Sequence, residues 1–110
     1  MSELHEECGV IGIYRNDEGK NAAPLVYYGL YALQHRGQES AGIASNNHGS
    51  IHLKKGLGLV GEVFRTEKLD DLKGNIAIGH VRYSTAGDQS LRSAQPLAGI
   101  CRLGEVALAH

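Results

Sequence analysis

Apolar and polar positions along the chain follow two different periods. Cys8–Arg15 is a continuous apolar run with β-branched residues, closed by the turn-forming Asn16-Asp17-Glu18-Gly19, and it predicts a strand. From 24 to 36 the period lengthens. Leu25, Tyr28, Gly29, Ala32 and Leu33 recur at helical spacing, Pro24 suits a first turn and Gly37 suits a left-handed helix end. The spacing predicts a helix over 24–36 with that stripe lying on another layer. Two short strands follow, Ser40–Ser45 and Ser50–Lys54, joined by the hairpin loop Asn46–Gly49. Thr66 suits the cap of a short helix, Glu67–Leu72, with acids in its early turns. Asn75–Arg82 reads as a buried strand, Tyr83–Gln95 as a polar loop and Glu105–His110 as a last strand.

At 110 residues the chain holds one domain at most. An apolar share of 42% and a charged share of 21% exclude a disordered tail, a fibre and a coiled coil. No apolar run approaches the ~18 residues of a membrane helix, so no membrane partner is expected. A net charge of −1, with acids and bases intermixed, gives no reason to expect nucleic acid. Glycine is the outlier: 15 residues, about twice the usual ~7%, as expected where short strands feed shaped loops. Cys8 and Cys101 have no metal-site spacing and make a poor disulfide scaffold, which fits a reducing, cytoplasmic setting. Cys101, on a late strand, is expected to be a buried structural thiol. Met1–Glu7 is too short and too acidic for a signal peptide. An apolar strand running to His110 predicts a truncated domain.

Three segments carry candidate chemistry. Cys8 opens an apolar strand, where a cysteine is ordinarily a small buried hydrophobe. Cleavage after Glu7 would instead give it a free α-amine beside its own thiol. With a pKa of about 7.7–8.0, that amine can act as a base near neutrality, so one residue would hold nucleophile and base together. His80-Val81-Arg82-Tyr83-Ser84-Thr85-Ala86-Gly87 puts an arginine at a strand end, suited to gripping a carboxylate bidentately or to an ordinary salt bridge. Leu33–Gly42 is polar where a helix should end, and the basic His35 and Arg36 there suit the helix dipole.

Two further patterns are weaker. Gly56-Leu57-Gly58-Leu59-Val60-Gly61 matches G-x-G-x-x-G, but the next strand ends in His80 and Arg82 instead of the acid that a dinucleotide site needs. His48 and His52 sit in a predicted hairpin, where four residues span roughly 13 Å, too far for one ion. No metal site is expected.

Cys8-Gly9-Val10-Ile11-Gly12, the block Leu33–Gly42 and the block His80–Gly87 occur in the order and spacing of a known family. The chain resembles the N-terminal-nucleophile glutamine amidotransferases over essentially its whole length, and most closely the branch whose acceptor is 5-phosphoribosyl diphosphate. The resemblance implies an α+β fold, the αββα four-layer sandwich of N-terminal-nucleophile hydrolases, with only its first part present. It implies that residues 1–7 are a propeptide removed by autocatalytic cleavage before Cys8, taking three glutamates with it. Residues 8–110 would be a truncated glutaminase domain, with a phosphoribosyltransferase domain beyond it. Cys8 would attack the side-chain amide of L-glutamine, Arg82 would hold the α-carboxylate, and Thr85 would help position the substrate. Arg36, Gly37 and His80 would support the nucleophile's surroundings. The parent enzyme would pass ammonia to 5-phosphoribosyl diphosphate for purine synthesis. It would use magnesium there, carry a 4Fe–4S cluster in one branch, and form a homo-oligomer, a tetramer. The 110-residue piece alone is expected to fold poorly and to show little activity.

Three other readings compete. The glucosamine-6-phosphate synthase type shares the nucleophile but reads Tyr-Arg-Gly-Tyr-Asp and His-Thr-Arg-Trp at the two later blocks. A non-catalytic nucleotide-binding module would use the Gly56–Gly61 loop. A small α+β interaction domain would have no site.

Overall fold

In a computed structural model describing residues 8–17, 19–34, 38–83, 91 and 94–110, the first apolar run forms strand β1, Gly9–Tyr14. Helix α1 is Ala23–Leu33, followed by β2, Gln38–Asn47, and β3, Ser50–Leu57. Helix α2 is Val60–Thr66, and a single 3₁₀ turn covers Leu69–Asp71. Then come β4, Ile76–Tyr83, β5, Leu97–Cys101, and β6, Gly104–Leu108. The first four strands make an antiparallel sheet in the order β1-β4-β2-β3, and β5 and β6 pair as a separate hairpin. The result is a mixed α/β domain.

Side chains alternate across a strand, so the sheet has two distinct faces. On one, Ile11 and Ile13 of β1, Ala77 and Val81 of β4, and Ala41 and Ile43 of β2 pack beneath Val26 and Leu30 of α1. Gly79 lies under the helix, where a Cβ would collide with Val26 and Leu30. The missing side chain lets helix and sheet approach closely. The opposite face carries Val10, Ile78, His80, Arg82, Gly42 and Lys55. Part of it is roofed by the β5–β6 hairpin, with a cavity between them lined by Ala44, Ile51, Ile78, Val106 and Ala107.

Several expectations from the pattern are corrected. The buried stripe of α1 is Ala23, Val26 and Leu30; Leu25, Tyr28 and Ala32 face outward. Both stripes have helical spacing and share Gly29 and Leu33. The sheet decides between them, because Gly29 sits over Ile11 and Leu33 packs against Gly9. The helix also stops earlier, with Gln34 already extended.

The second helix lies about two turns upstream of Glu67–Leu72, Thr66 ends it instead of capping it, and of the expected span only Leu69–Asp71 is helical, as a 3₁₀ turn. Val60 and Val63 are buried and Phe64 meets Tyr27 edge-on, with ring centroids 5.9 Å apart. This i, i+3, i+4 apolar set outweighs the acidic run behind Thr66.

The hairpin strands run longer than Ser40–Ser45 and Ser50–Lys54. They turn tightly at His48 and Gly49, both with positive φ, as the favoured two-residue hairpin requires. Between the expected polar loop and the expected last strand, Leu97–Cys101 forms β5, and the last strand, β6, ends at Leu108 instead of His110. Cys101 is exposed on β5, not buried. Nothing in the described residues is a helix long and apolar enough to cross a membrane.

Candidate functional site

The three sequence blocks converge at one end of the main sheet. Gly9 of β1 pairs with Val81 of β4, and Gln38 of β2 pairs with Tyr83. The Tyr83 hydroxyl donates to the carbonyl of Leu33 at 2.8 Å, tying the end of β4 to the end of α1. Cys8, the polar stretch after Leu33 and the segment after Tyr83 therefore start from neighbouring points, although 75 positions separate the first from the last.

The register sets which side chains face one another. Gly9 opposes Val81 and Val10 opposes His80, so Cys8 comes just before the first pair of the ladder and Arg82 just after it, at the same end of the sheet. Cys8 is exposed there, on an edge strand, which removes the reading as a core hydrophobe. On the other side of Arg82 stands Ser40 of β2, beside an irregularity in the ladder between Gln38 and Ser40. Such irregularities commonly re-aim side chains at a site. An exposed thiol and an arginine at the same end of a sheet have the chemistry to take a substrate with an electrophilic carbon at one end and a carboxylate at the other.

His80 is fully buried one residue pair further in. Its Nε2 lies 2.9 Å from the carbonyl oxygen of His110. A carbonyl only accepts, so Nε2 carries the proton, and the neutral ring leaves Nδ1 as a bare lone pair. Among the described residues Nδ1 has no hydrogen-bond partner. Burial pushes the imidazole below its ordinary value of 6.5, opposed by the His110 carbonyl and assisted by the charges of Arg82 and His110. The folded state thus resists a proton that the unfolded chain accepts. Stability is full above pH 6.5 and declines as pH falls below it, towards the lowered folded value. Urea midpoints at pH 7.5 and 5.5 should separate more for the wild type than for His80→Gln, which has nothing to titrate.

Arg36, Gly37 and Thr85 lie outside the described residues. Sequence reasoning passed over two glutamines that the structure makes prominent. Gln38 is buried; its Nε2 donates to the carbonyls of Ser40 and Gly58, and its Oε1 accepts from the N–H of Val60. The Gln95 side chain accepts from the N–H of His110 at 2.6 Å. Neither residue stands in a periodic pattern, and only fold geometry reveals what each joins.

The Gly56–Gly61 loop does run from a strand into a helix, but its backbone donors are taken. Gly58 N–H goes to the Glu39 carbonyl, Leu59 N–H to the Glu62 carboxylate, and Val60 N–H to Gln34 and Gln38. These three donors are not turned towards a phosphate. No group of metal-ligating side chains occurs among the described residues.

No family model matches the chain. It is 50% identical over 109 residues to an amidophosphoribosyltransferase of Methanothermobacter thermautotrophicus, covering 99% of this chain and 23% of that protein. It is 52% identical over 108 residues to the chloroplastic amidophosphoribosyltransferase 3 of Arabidopsis thaliana, covering 98% of this chain and 20% of that protein. A solved structure of the glutamine phosphoribosylpyrophosphate amidotransferase of B. subtilis, complexed with ADP and GMP, superimposes with a TM-score of 0.75 at 44% identity. That match covers 91% of this chain and 21% of the other. Sequence and backbone are thus similar to those of amidotransferases over a part of their length. More narrowly, the chain is homologous to the N-terminal region of the amidophosphoribosyltransferases. It spans about a fifth of the length of these relatives.

Proposed function

We propose that this chain is the first part of the glutamine-hydrolysing half of an enzyme that moves glutamine's amide nitrogen to 5-phosphoribosyl diphosphate, giving 5-phosphoribosylamine, glutamate and diphosphate. The observation that carries the reading is the exposed Cys8 at the rim of β1, one ladder step from the pairs that bring β4 and Arg82 alongside it. Half identity to amidophosphoribosyltransferases favours this acceptor over the sugar phosphate of the glucosamine-6-phosphate synthase type.

In this reading residues 1–7 are a propeptide, and cleavage of the Glu7–Cys8 bond frees the α-amine. The amine takes the thiol proton, and the thiolate attacks the side-chain amide carbon of glutamine. Collapse of the adduct breaks the C–N bond, and the ammonium returns its proton to the leaving nitrogen, which departs as ammonia. Water then hydrolyses the thioester, releasing glutamate and restoring the thiol. Arg82 grips the α-carboxylate and Thr85 helps to position the substrate, while His80, Arg36 and Gly37 support the nucleophile's surroundings.

The bare second face of the sheet, half roofed by β5–β6, supports the opening half of an αββα sandwich. In this reading the phosphoribosyltransferase half belongs to the part of the relatives' length that these 110 residues do not span. A 4Fe–4S cluster takes four thiolates. Cys8 and Cys101, the two cysteines of the chain, do not fit it. Among the described residues no three metal-ligating side chains cluster. Glutamine hydrolysis as derived passes through neither the cluster nor magnesium.

Mass spectrometry of the full-length polypeptide tests the proposal. The expected result is loss of residues 1–7 and one adduct on Cys8 after incubation with a glutamine analogue bearing an electrophile in place of its amide. A retained leader with no adduct would overturn it.

A further inference from the structure

One cross-strand row runs over the sheet face that holds Cys8 and Arg82. Val10 opposes His80, His80 opposes Gly42, and Gly42 opposes Lys55. The segment 94–96 crosses the sheet at the glycine of that row. A Cβ on Gly42 would overlap the Gln95 carbonyl oxygen and crowd Pro96, so the bare backbone lets this segment lie flat beside His80. Lys55 fastens it from the far side, its ammonium donating to the Ala94 carbonyl at 2.7 Å. Ala94 and Pro96 are buried, as a fixed strut requires.

His110 is held by two side chains from this row and strut. The His80 ring donates to its carbonyl at 2.9 Å, and Gln95 Oε1 accepts from its N–H at 2.6 Å. Both polar groups of one residue's main chain are therefore fixed by side chains from different parts of the fold. Residues two apart on a strand are about 6.7 Å apart, so His80 is one such step from Arg82, and Val10 opposite it is two residues from Cys8.

We propose that His80 and Gln95 are positioning residues for the glutaminase reaction: their clamp on His110 sets the end of β6 as one wall of the space in which glutamine meets Cys8. This rests on the function proposed above. Neither side chain touches the reacting atoms. Their effect is on alignment, where a displacement of about 1 Å can lower the rate about 100-fold.

The test uses the full-length enzyme and four variants. His80→Met and Gln95→Met keep bulk but lose the donor and the acceptor respectively. His80→Gln and Gln95→Glu retain them. The expected result is a fall in glutaminase kcat of about 100-fold in each methionine variant. The KM for glutamine should stay within about three-fold, and the conservative pair should recover kcat. The double methionine variant should lose little more than either single, because the two side chains hold one group. Methionine variants that melt like the wild type and keep its kcat would overturn the proposal, as would a loss that the conservative pair does not recover. If the methionine variants lose their cooperative melt, the conservative pair decides: wild-type kcat in both supports the clamp, and a ten-fold fall with a wild-type melt overturns it. A wild-type enzyme in which the glutamine analogue leaves Cys8 unmodified would instead sink the proposed function itself.

Discussion

Replacing Cys8 with alanine in the full-length protein should lower glutamine hydrolysis by about 10⁴-fold or more, the scale on which removing a covalent nucleophile acts. The loss should fall on kcat, because in the proposed mechanism Arg82 holds the α-carboxylate independently of Cys8. Cys101→Ser supplies the contrast. Cys101 is equally exposed but lies on β5, in the hairpin apart from the main sheet, so its removal should leave the rate within two-fold. Ammonia release from glutamine, measured on both variants, checks the pair. Equal losses would mean that the thiols matter for the fold, and no loss in either would remove Cys8 from the chemistry. The rate should also rise with pH towards about 8, as the α-amine of a processed Cys8 loses its proton and becomes a base.

Gly74→Ala should be the most damaging single methyl in the fold. Gly74 has a φ of +117°, and a Cβ there would overlap the Asn46 carbonyl at the end of β2. Its N–H donates to Asn21 at 3.0 Å and its carbonyl accepts from Ala22 at 2.9 Å, so it cannot move away without freeing the start of α1. Backbone strain and overpacking each cost about 1–3 kcal/mol, and together take a large share of the 5–15 kcal/mol that holds a domain folded. Gly49→Ala separates the two effects. Gly49 has a φ of +95° with open space around it, so only the strain of about 1–2 kcal/mol should appear. Urea midpoints of the two variants against wild type make the measurement. Equal shifts would show that the crowding at Gly74 contributes nothing.

The legible parts of this protein were those written in short-range pattern. The β1 and β4 runs, the α1 helix and the 50-loop hairpin all have local signals, and each forms within a few residues of its expected bounds. Cys8, His80 and Arg82 stand out in blocks of sequence, and the β1–β4 register brings those blocks to one end of the sheet. What could not be read were choices made between distant segments. The stripe of α1 was one residue out because Gly29 and Leu33 fit either solution, and only Ile11 and Gly9 beneath them decide. Helix α2 was misplaced because an acidic run after a threonine imitates a helix start, whereas the burial of Val60 and Val63 is tertiary. Gln38 and Gln95 act on Gly58, Val60 and His110, partners up to 22 positions away, and no periodicity advertises such bonds.

The pairing of β1 with β4 joins residues 62 to 72 positions apart, from Tyr14–Ile76 to Gly9–Val81. Closing so large a loop is slow compared with forming the β2–β3 hairpin, whose strands are neighbours in sequence. During synthesis β1 emerges well before β4 and must wait for it before it has a place in the sheet. If the Glu7–Cys8 bond is cut only by the assembled site, the order of folding works as a clock. The thiol and its amine are armed only after the surrounding sheet exists, and an unfinished chain carries its cysteine capped.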